Sequence, residues 1–343
     1  MKSKAEISIV VPLYNEAKNL KEFYSELDGV ISTDGKDYEV IFVNDGSTDD
    51  SHKILLDIEE NANCVKVLSL KKNIGKAGAL ELGFKLVSGD IVIIMDCDLQ
   101  YDPRDIKSLL NKIDEGYDVV SGKRINRSDS KRVKLTSWLF RFVVRKLSGL
   151  IFSDFFSGLK CFRVSVITHL GIYGNLNRIF SVYAYRAGFK VCEISVNHRI
   201  RKYGNSKYNF LSRLRLGLRD LIILFFTVVL TREELYKVGL VGFFFLGSGG
   251  LIFVISVFLL PYEMTKGFFE NLLLAIGILF IYIGWQLRVI EVIGKEFLDR
   301  HMGAQIFKEH DLRMANVIYI SPDRKKFFDM QRNDVGGTNQ YFR

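Results

Sequence analysis

The sequence predicts an α/β domain built on a mainly parallel, doubly wound sheet, followed by two helices long enough to cross a bilayer. Three observations carry that expectation. Short β-branched runs alternate with helical patterns four times before residue 115, acidic clusters follow three of those runs, and from about Leu221 the chain turns apolar in blocks. Alternating strands and helices pack as crossovers around a parallel sheet, and such sheets bind ligands beyond the carboxyl ends of their strands.

The strands are expected at Ile7–Pro12, Tyr38–Val43, Val65–Leu70 and Ile91–Met95, where near-continuous Val, Ile and Leu suit burial on both faces. The first helix, Ala17–Ile31, follows a turn at Tyr14-Asn15-Glu16. The second, Asp49–Glu60, has Ser47 or Thr48 as its cap and Asp49 and Asp50 at its positive end. The third, Ala77–Val87, stops before Gly89, a C-terminal cap residue, and the fourth opens at Pro103 and reaches about Asp114.

Lys237–Leu260 carries one charge, at its start, and at 1.5 Å per residue spans about 35 Å. Phe268–Leu287 is interrupted only by Glu270 and spans about 30 Å. Tyr236, Tyr262, Tyr282 and Trp285 lie near the ends, as interfacial aromatics do, and the short link Pro261–Gly267 makes the pair a hairpin. Arg232, Arg288, Lys295 and Arg300 flank it on the outside, which puts the N-terminal domain and the tail in the cytoplasm of a cell (inner) membrane. Two buried helices of a soluble protein are the alternative, and each run exceeds the usual length of a core helix. The expected division is 1–208 for the catalytic domain, 209–232 for a juxtamembrane helix, 237–260 and 268–288 for the spans, and 289–343 for a tail. Within that tail Asn316–Ser321 reads as a small strand and the last ten residues as disordered.

A net charge of +9 points to an anionic partner. Cys64, Cys97, Cys161 and Cys192 lie far apart without a CxxC pair and read as reduced thiols, and the histidines show no metal-binding spacing. No signal peptide is expected, because Met1–Glu6 is charged and Ile7–Val11 is short.

Three clusters carry the chemistry: Pro12-Leu13-Tyr14-Asn15-Glu16, Asn44-Asp45-Gly46-Ser47-Thr48-Asp49, and Asp96-Cys97-Asp98-Leu99-Gln100. Each alone reads as a turn. On neighbouring parallel strands they converge on one edge of the sheet, where their repulsion demands a cation or a donor-rich ligand. Asp96 and Asp98, two residues apart in extended chain, point the same way and suit Mg²⁺ or Mn²⁺ completed by substrate phosphates. Neither a Walker A loop nor a GxGxxG fingerprint is present.

This order of motifs, with Asn73-Ile74-Gly75-Lys76 between the second and third, resembles the family 2 glycosyltransferases of GT-A fold. Arg201-Lys202-Tyr203-Gly204-Asn205-Ser206-Lys207-Tyr208 resembles the RxxGxSKY segment of their polyprenyl-phosphate branch, which includes dolichol-phosphate mannose synthases and bacterial undecaprenyl-phosphate glucosyltransferases with two C-terminal membrane helices. The resemblance covers about residues 7–290. It implies that Pro12, Tyr14, Glu16, Val43 and Asp45 hold the nucleoside of a nucleotide-sugar donor, together with Lys76. It implies that Asp96, Asp98 and Gln100 are metal ligands with Cys97 contributing backbone, and that Arg124, Arg201 and Lys207 neutralise phosphate charge. Asp98, Arg124, Arg201 and Lys207 are the implied catalytic set. Asn44 stands where the commoner form has Asp, and Ser157-Gly158-Leu159-Lys160-Cys161-Phe162-Arg163 departs from the mannose synthases, which leaves the sugar open.

Residues 123–146 hold nine Lys and Arg against Asp129, with Leu135, Trp138, Leu139, Phe142, Val143 and Leu147 at helical spacing. That pattern predicts an amphipathic helix over 131–152 lying on anionic membrane lipids, and Asn209–Leu230 predicts a second. A solvated basic face on a core helix is the alternative for each. The expected reaction is inverting transfer of a hexosyl group from a UDP- or GDP-sugar to a polyprenyl phosphate for cell-envelope glycan or glycoprotein modification. The rivals are a processive polysaccharide synthase, for which no QxxRW segment is found, and an inactive membrane scaffold, which has no need of paired carboxylates. Nucleic-acid binding has only the net charge behind it. The small residues of Gly242–Gly250 are compatible with a homo-oligomer.

Overall fold

The computed structural model describes residues 5–125, 131–170, 179–203, 210–225, 232–259, 268–302 and 317–320. The chain divides into two compact units, one of residues 1–220 with 305–343, the other of residues 221–304.

The first unit opens with four strand–helix pairs. These are β1 (Ile7–Leu13) and α1 (Ala17–Ile31), β2 (Tyr38–Asn44) and α2 (Ser51–Asn61), β3 (Val65–Leu70) and α3 (Lys76–Phe84), and β4 (Ile91–Ile94) and α4 (Asp105–Asp114). There follow β5 (Val119–Arg124), α5 (Lys131–Ser148), β6 (Lys160–Arg163), α6 (Val164–Leu170), α7 (Phe180–Arg186), β7 (Val191–Val196) and α8 (Phe210–Leu224). The eight strands stand in the order β7-β5-β6-β4-β1-β2-β3-β8, with β8 at Val317–Ile320. Strands β1 to β4 are parallel, while β6 runs antiparallel between β4 and β5, and β8 antiparallel on the edge of β3. The expected parallel core is therefore present within a mixed sheet, and the small strand expected in the tail is seen at Val317–Ile320, where it supplies an edge.

Both faces of the sheet are covered, which is why its strands are almost wholly apolar. On one face Leu20, Phe23 and Leu27 of α1, Leu55 of α2 and Leu109 of α4 pack against Ile9, Val11 and Phe42. On the other, Leu80 of α3, Val166 of α6 and Phe180 of α7 meet Val10, Val43 and Ile94. Each such fully buried side chain contributes about 1.5–3 kcal/mol.

Two local expectations are corrected. Ser47 and Thr48 do not cap α2, which begins at Ser51 without a side-chain cap; their hydroxyls are turned to Asn15 instead. Gly89 does not cap α3, which ends at Phe84; a Cβ on Gly89 would lie 2.8 Å from the Ser8 backbone nitrogen, so the glycine serves close approach of the chain to β1.

The second unit holds α9 (Arg232–Val254), continued by a wider turn over Ile255–Leu259, and α10 (Phe268–Met302). Candidate membrane spans lie at Leu235–Val257 and Asn271–Glu296, with mean hydropathy 2.3 and 2.0, and few of their residues are buried within the protein. Glycines bring the two backbones together: a Cβ on Gly284 would lie 2.7 Å from Leu246 N, and one on Gly249 2.8 Å from Ile281 N. Phe244, Leu251, Leu279 and Trp285 stay exposed, as side chains facing lipid do. The second helix runs past the expected end at residue 288, with Glu291 pairing with Arg288 and Lys295 one turn to either side.

Candidate active site

The three acidic clusters follow β4, β1 and β2, which are neighbours in the sheet. Pro12 and Val43 stand level at the ends of β1 and β2. Both are buried, and the Val43 side chain belongs to the core on the α3 face. The loops beyond are tied together. Asn15, at φ 53, donates from its backbone to Ser47 Oγ at 2.9 Å, and its side chain accepts from Thr48 N at 2.8 Å. Glu16 takes Ser51 Oγ on its backbone N–H at 3.1 Å, while its carboxylate accepts from Asn19. Tyr14, which precedes Asn15, is half-buried.

Asp45 is buried, and its carboxylate accepts from Ile74 N at 2.7 Å and Gly75 N at 2.9 Å. It thereby fixes the turn that opens α3 and delivers Lys76. Gly46 makes this approach feasible, because at φ +68 it lies against Lys72, where a Cβ would come within 2.6 Å of backbone.

Past β4 the chain turns sharply, with Leu99 at φ 60. Asp96 receives the Lys76 ammonium, and Asp98 receives the Arg201 guanidinium at 2.5 Å. Burial and the neighbouring Asp96 raise the Asp98 pKa, against the pull of Arg201. Burial alone would lower the Lys76 pKa, but Asp96 raises it. Cys97 is buried in the core between the two aspartates. Gln100 donates from its backbone to Asp98 Oδ1 at 3.2 Å, and its side-chain amide faces the Arg199 carbonyl at 3.5 Å. The segment bearing Arg201 is held by a bridge between Tyr101 and His198, and by Arg199, which pairs with Glu26 and Asp102 at 2.7 and 2.8 Å.

The structure thus brings Asp96, Asp98, Lys76 and Arg201 together, with Gln100 beside them. Arg124 is given to another partner: its guanidinium makes a bidentate pair with buried Asp154, at 2.6 and 2.9 Å. Lys207 lies outside the described residues. Two carboxylates already met by side-chain cations are a hard-oxygen donor set that fits Mg²⁺ or Mn²⁺, with water and substrate phosphates completing the shell. Among the described residues no group of three His, Cys, Asp or Glu could hold an ion alone.

Five contributors carry no role in the sequence reading. Asp154 anchors Arg124, and Glu193 accepts from the Asp154 backbone at 2.6 Å. Tyr101 accepts from Gly158 N at 2.7 Å, and Gly158 leaves the room that Asp96 takes, since a Cβ there would lie 2.2 Å from Asp96 Oδ2. Lys160, in β6, is 4% exposed. Burial, then the Lys76 ammonium, push its amine down to about 7, opposed by Asp154 and Asp96. No local pattern flags it, because Lys160 opens a short strand that begins and ends on charge, and only the tertiary fold covers it.

The chain is 32% identical over 327 residues to an undecaprenyl-phosphate 4-deoxy-4-formamido-L-arabinose transferase of Klebsiella pneumoniae, covering 93% of this chain and 97% of that one. The enzyme of the same description from a second strain matches equally. The family described as Glycosyl transferase family 2 matches residues 8–171. The chain belongs to glycosyltransferase family 2. Its fold is GT-A-like: the crystal structure of mannosyl-3-phosphoglycerate synthase from Rubrobacter xylanophilus superposes with a TM-score of 0.51 at 17% identity, covering 64% of this chain and 73% of that one. The family 2 match takes in β1 to β6 and with them Asp45, Lys76, Asp96 and Asp98, whereas Arg201 and the hairpin lie beyond it.

Proposed function

We propose that this family 2 glycosyltransferase moves a hexosyl group, with inversion, from a UDP- or GDP-sugar to a polyprenyl phosphate at the cytoplasmic face of a membrane. The observation that carries the reading is the meeting of Asp96 and Asp98 with Lys76 and Arg201 at the carboxyl edge of the sheet. The activity named for the Klebsiella relative, transfer of an arabinose derivative involving undecaprenyl phosphate, supports the polyprenyl-phosphate acceptor, because that likeness runs through both the catalytic unit and the two apolar helices. Basic α5 supports docking on anionic lipid: Trp138, Leu139 and Phe142 are exposed beside exposed Arg145 and Lys146, while Phe140 and Val144 face inward.

Asp96 and Asp98, with Gln100, would hold Mg²⁺ or Mn²⁺, which when bound supplies charge neutralisation to the departing nucleoside diphosphate. The donor's nucleoside rests against Pro12, Tyr14, Glu16, Val43 and Asp45. Lys76 and Arg201, relieved of the carboxylates, turn to phosphate oxygens, and Lys207 adds to that charge, while Arg124 would join them only on leaving Asp154. An oxygen of the acceptor phosphate attacks the anomeric carbon as its bond to the diphosphate breaks, and the electron pair leaves with the nucleotide. The acceptor is already ionised near neutral pH, so no side chain has to remove a proton.

The test is a panel of labelled UDP- and GDP-sugars incubated with the protein in bilayers containing undecaprenyl phosphate, with and without EDTA. Metal-dependent appearance of a lipid-linked sugar is expected. Failure with every donor, or full activity in EDTA, overturns the reading.

A further inference from the structure

Two neighbours of Asp96 help to line a cavity of about 60 Å³, whose wall also holds Leu80, Ile94, Phe156, Ser157 and Lys160. It is bordered by the two residues that also confine Asp96, namely Lys76, which pairs with it, and Gly158, which makes room for it. Lys160 stands opposite Ile94 in the register of β6 on β4, and its ammonium donates to the Ser157 carbonyl at 2.9 Å. Leu80, Ile94 and Phe156 make the rest of the wall apolar.

An ammonium in such surroundings is costly, and an oxygen of full or partial negative charge that accepts from it, in addition to the Ser157 carbonyl, lowers that cost further. A hydroxyl is a weaker acceptor than a carboxylate or an amide carbonyl. Because the cavity shares Lys76 and Gly158 with the carboxylate expected to hold the donor's metal, what enters it is the sugar rather than the base. We propose that Lys160 forms the floor of the donor-sugar subsite and selects a sugar bearing a carbonyl-type oxygen, in a carboxylate or acylamino group, over a plain hexose. The proposal rests on reading this edge as the nucleotide-sugar site.

Hydrogen bonds to charged groups contribute about 1.5–3 kcal/mol, so the discrimination is expected at about 10- to 100-fold. The full chain in bilayer discs with Mn²⁺ is titrated with UDP, UDP-glucose, UDP-N-acetylglucosamine and UDP-glucuronate, as the unaltered protein, Lys160→Met and Lys160→Arg. The unaltered chain should bind one of the two carbonyl-bearing donors at least about 10-fold tighter than UDP-glucose, and which one identifies the group. Lys160→Met should lose that preference with the affinity for UDP held, and Lys160→Arg should keep part of it. A structural lysine would instead weaken UDP and every donor alike. An unaltered chain that favours UDP-glucose overturns the proposal, whether or not the variants fold; so does Lys160→Met with an unchanged ranking, or a chain that binds no uridine nucleotide. Donors bound in the expected order but never transferred to a polyprenyl phosphate would overturn the proposed function and leave the sugar subsite standing.

Discussion

Glu39 and Asp98 sit at opposite edges of one sheet and are balanced in different ways. Glu39, near the start of β2, accepts from Ser8 Oγ, from Ser88 N and Oγ, and from Lys66 Nζ, at 2.5 to 2.7 Å. Burial alone would raise its pKa, yet these donors hold it down to about 2. Asp98, past the end of β4, is raised by burial and by Asp96, and Arg201, the cation that meets it, comes from a segment 103 residues away. A carboxylate with a full set of fixed donors is structural. A pair whose charge is met by side chains from two separate segments can exchange those partners for a ligand, and that is what a binding edge requires.

Asp98→Ala should break the comparison most severely. Removing a group that organises charge at the reacting centre typically costs about 10²- to 10³-fold in rate. Lipid-linked product should fall by that amount while the protein remains in the membrane fraction. Residual transfer within tenfold of the unaltered chain would remove Asp98 from the reacting centre.

Glu39→Gln should act on stability and leave the site alone. With a folded pKa of about 2 against an ordinary 4.5, Glu39 contributes on the order of 3 kcal/mol. The sign follows from the direction of the shift: the contribution is complete above about pH 4.5 and is lost as the pH falls toward 2. Chemical unfolding between pH 6 and 3 should therefore show a shallower loss in Glu39→Gln, from a lower starting stability. Parallel slopes for the two proteins would mean that Glu39 is not held as described.

The contrast also marks what could be read from sequence. The run from β1 to α4 was legible because its strands are unbroken apolar runs and α1 and α4 keep helical periodicity; α1 falls at Ala17–Ile31 as expected. Strands β5, β6 and β7 were not, because Val119–Arg124 holds a glycine and two cations, Lys160–Arg163 begins and ends on charge, and Val191–Val196 is broken by Glu193. Their pairing forms only after the long excursion through α5. Asp96, Asp98 and Asp45 could be found from their places after strands. The partnership of Arg124 with Asp154, 30 residues on, could not, nor could the burial of Lys160, since no local pattern records which polar residue the tertiary fold will cover.

In the hairpin the same reasoning concerns backbone. Gly284→Ala places a methyl against Leu246 N and Gly242 O, at 2.7 and 2.8 Å, and neither can give way without shifting its helix. A loss of about 1–3 kcal/mol is expected. Gly247, with nothing within 4 Å, is the control, and alanine there should be neutral or slightly stabilising. Thermal unfolding in bilayer discs separates the two; equal effects would mean that the helices do not meet along this stripe.

Glu291 gives the smallest expected effect and the finest distinction. Like Asp98 it is a buried carboxylate met by side-chain charge, but its two cations, Arg288 and Lys295, lie on its own helix, 30% and 42% exposed against 5% for the Glu291 side chain. Arg288 also lies 4.0 Å from the centre of the Phe243 ring, and Lys295 lies 5.7 Å from that of Tyr236. If Glu291 becomes Gln, both cations keep an aromatic face and can extend toward water, so neither is stranded. The loss should stay near about 1 kcal/mol, as for a pair with solvent access, and should shrink as salt rises. A loss above about 3 kcal/mol, insensitive to salt, is the behaviour of a sealed ion pair. It would place this cluster with Glu39, where every donor is fixed, and the exposure of the two cations would no longer explain its energetics.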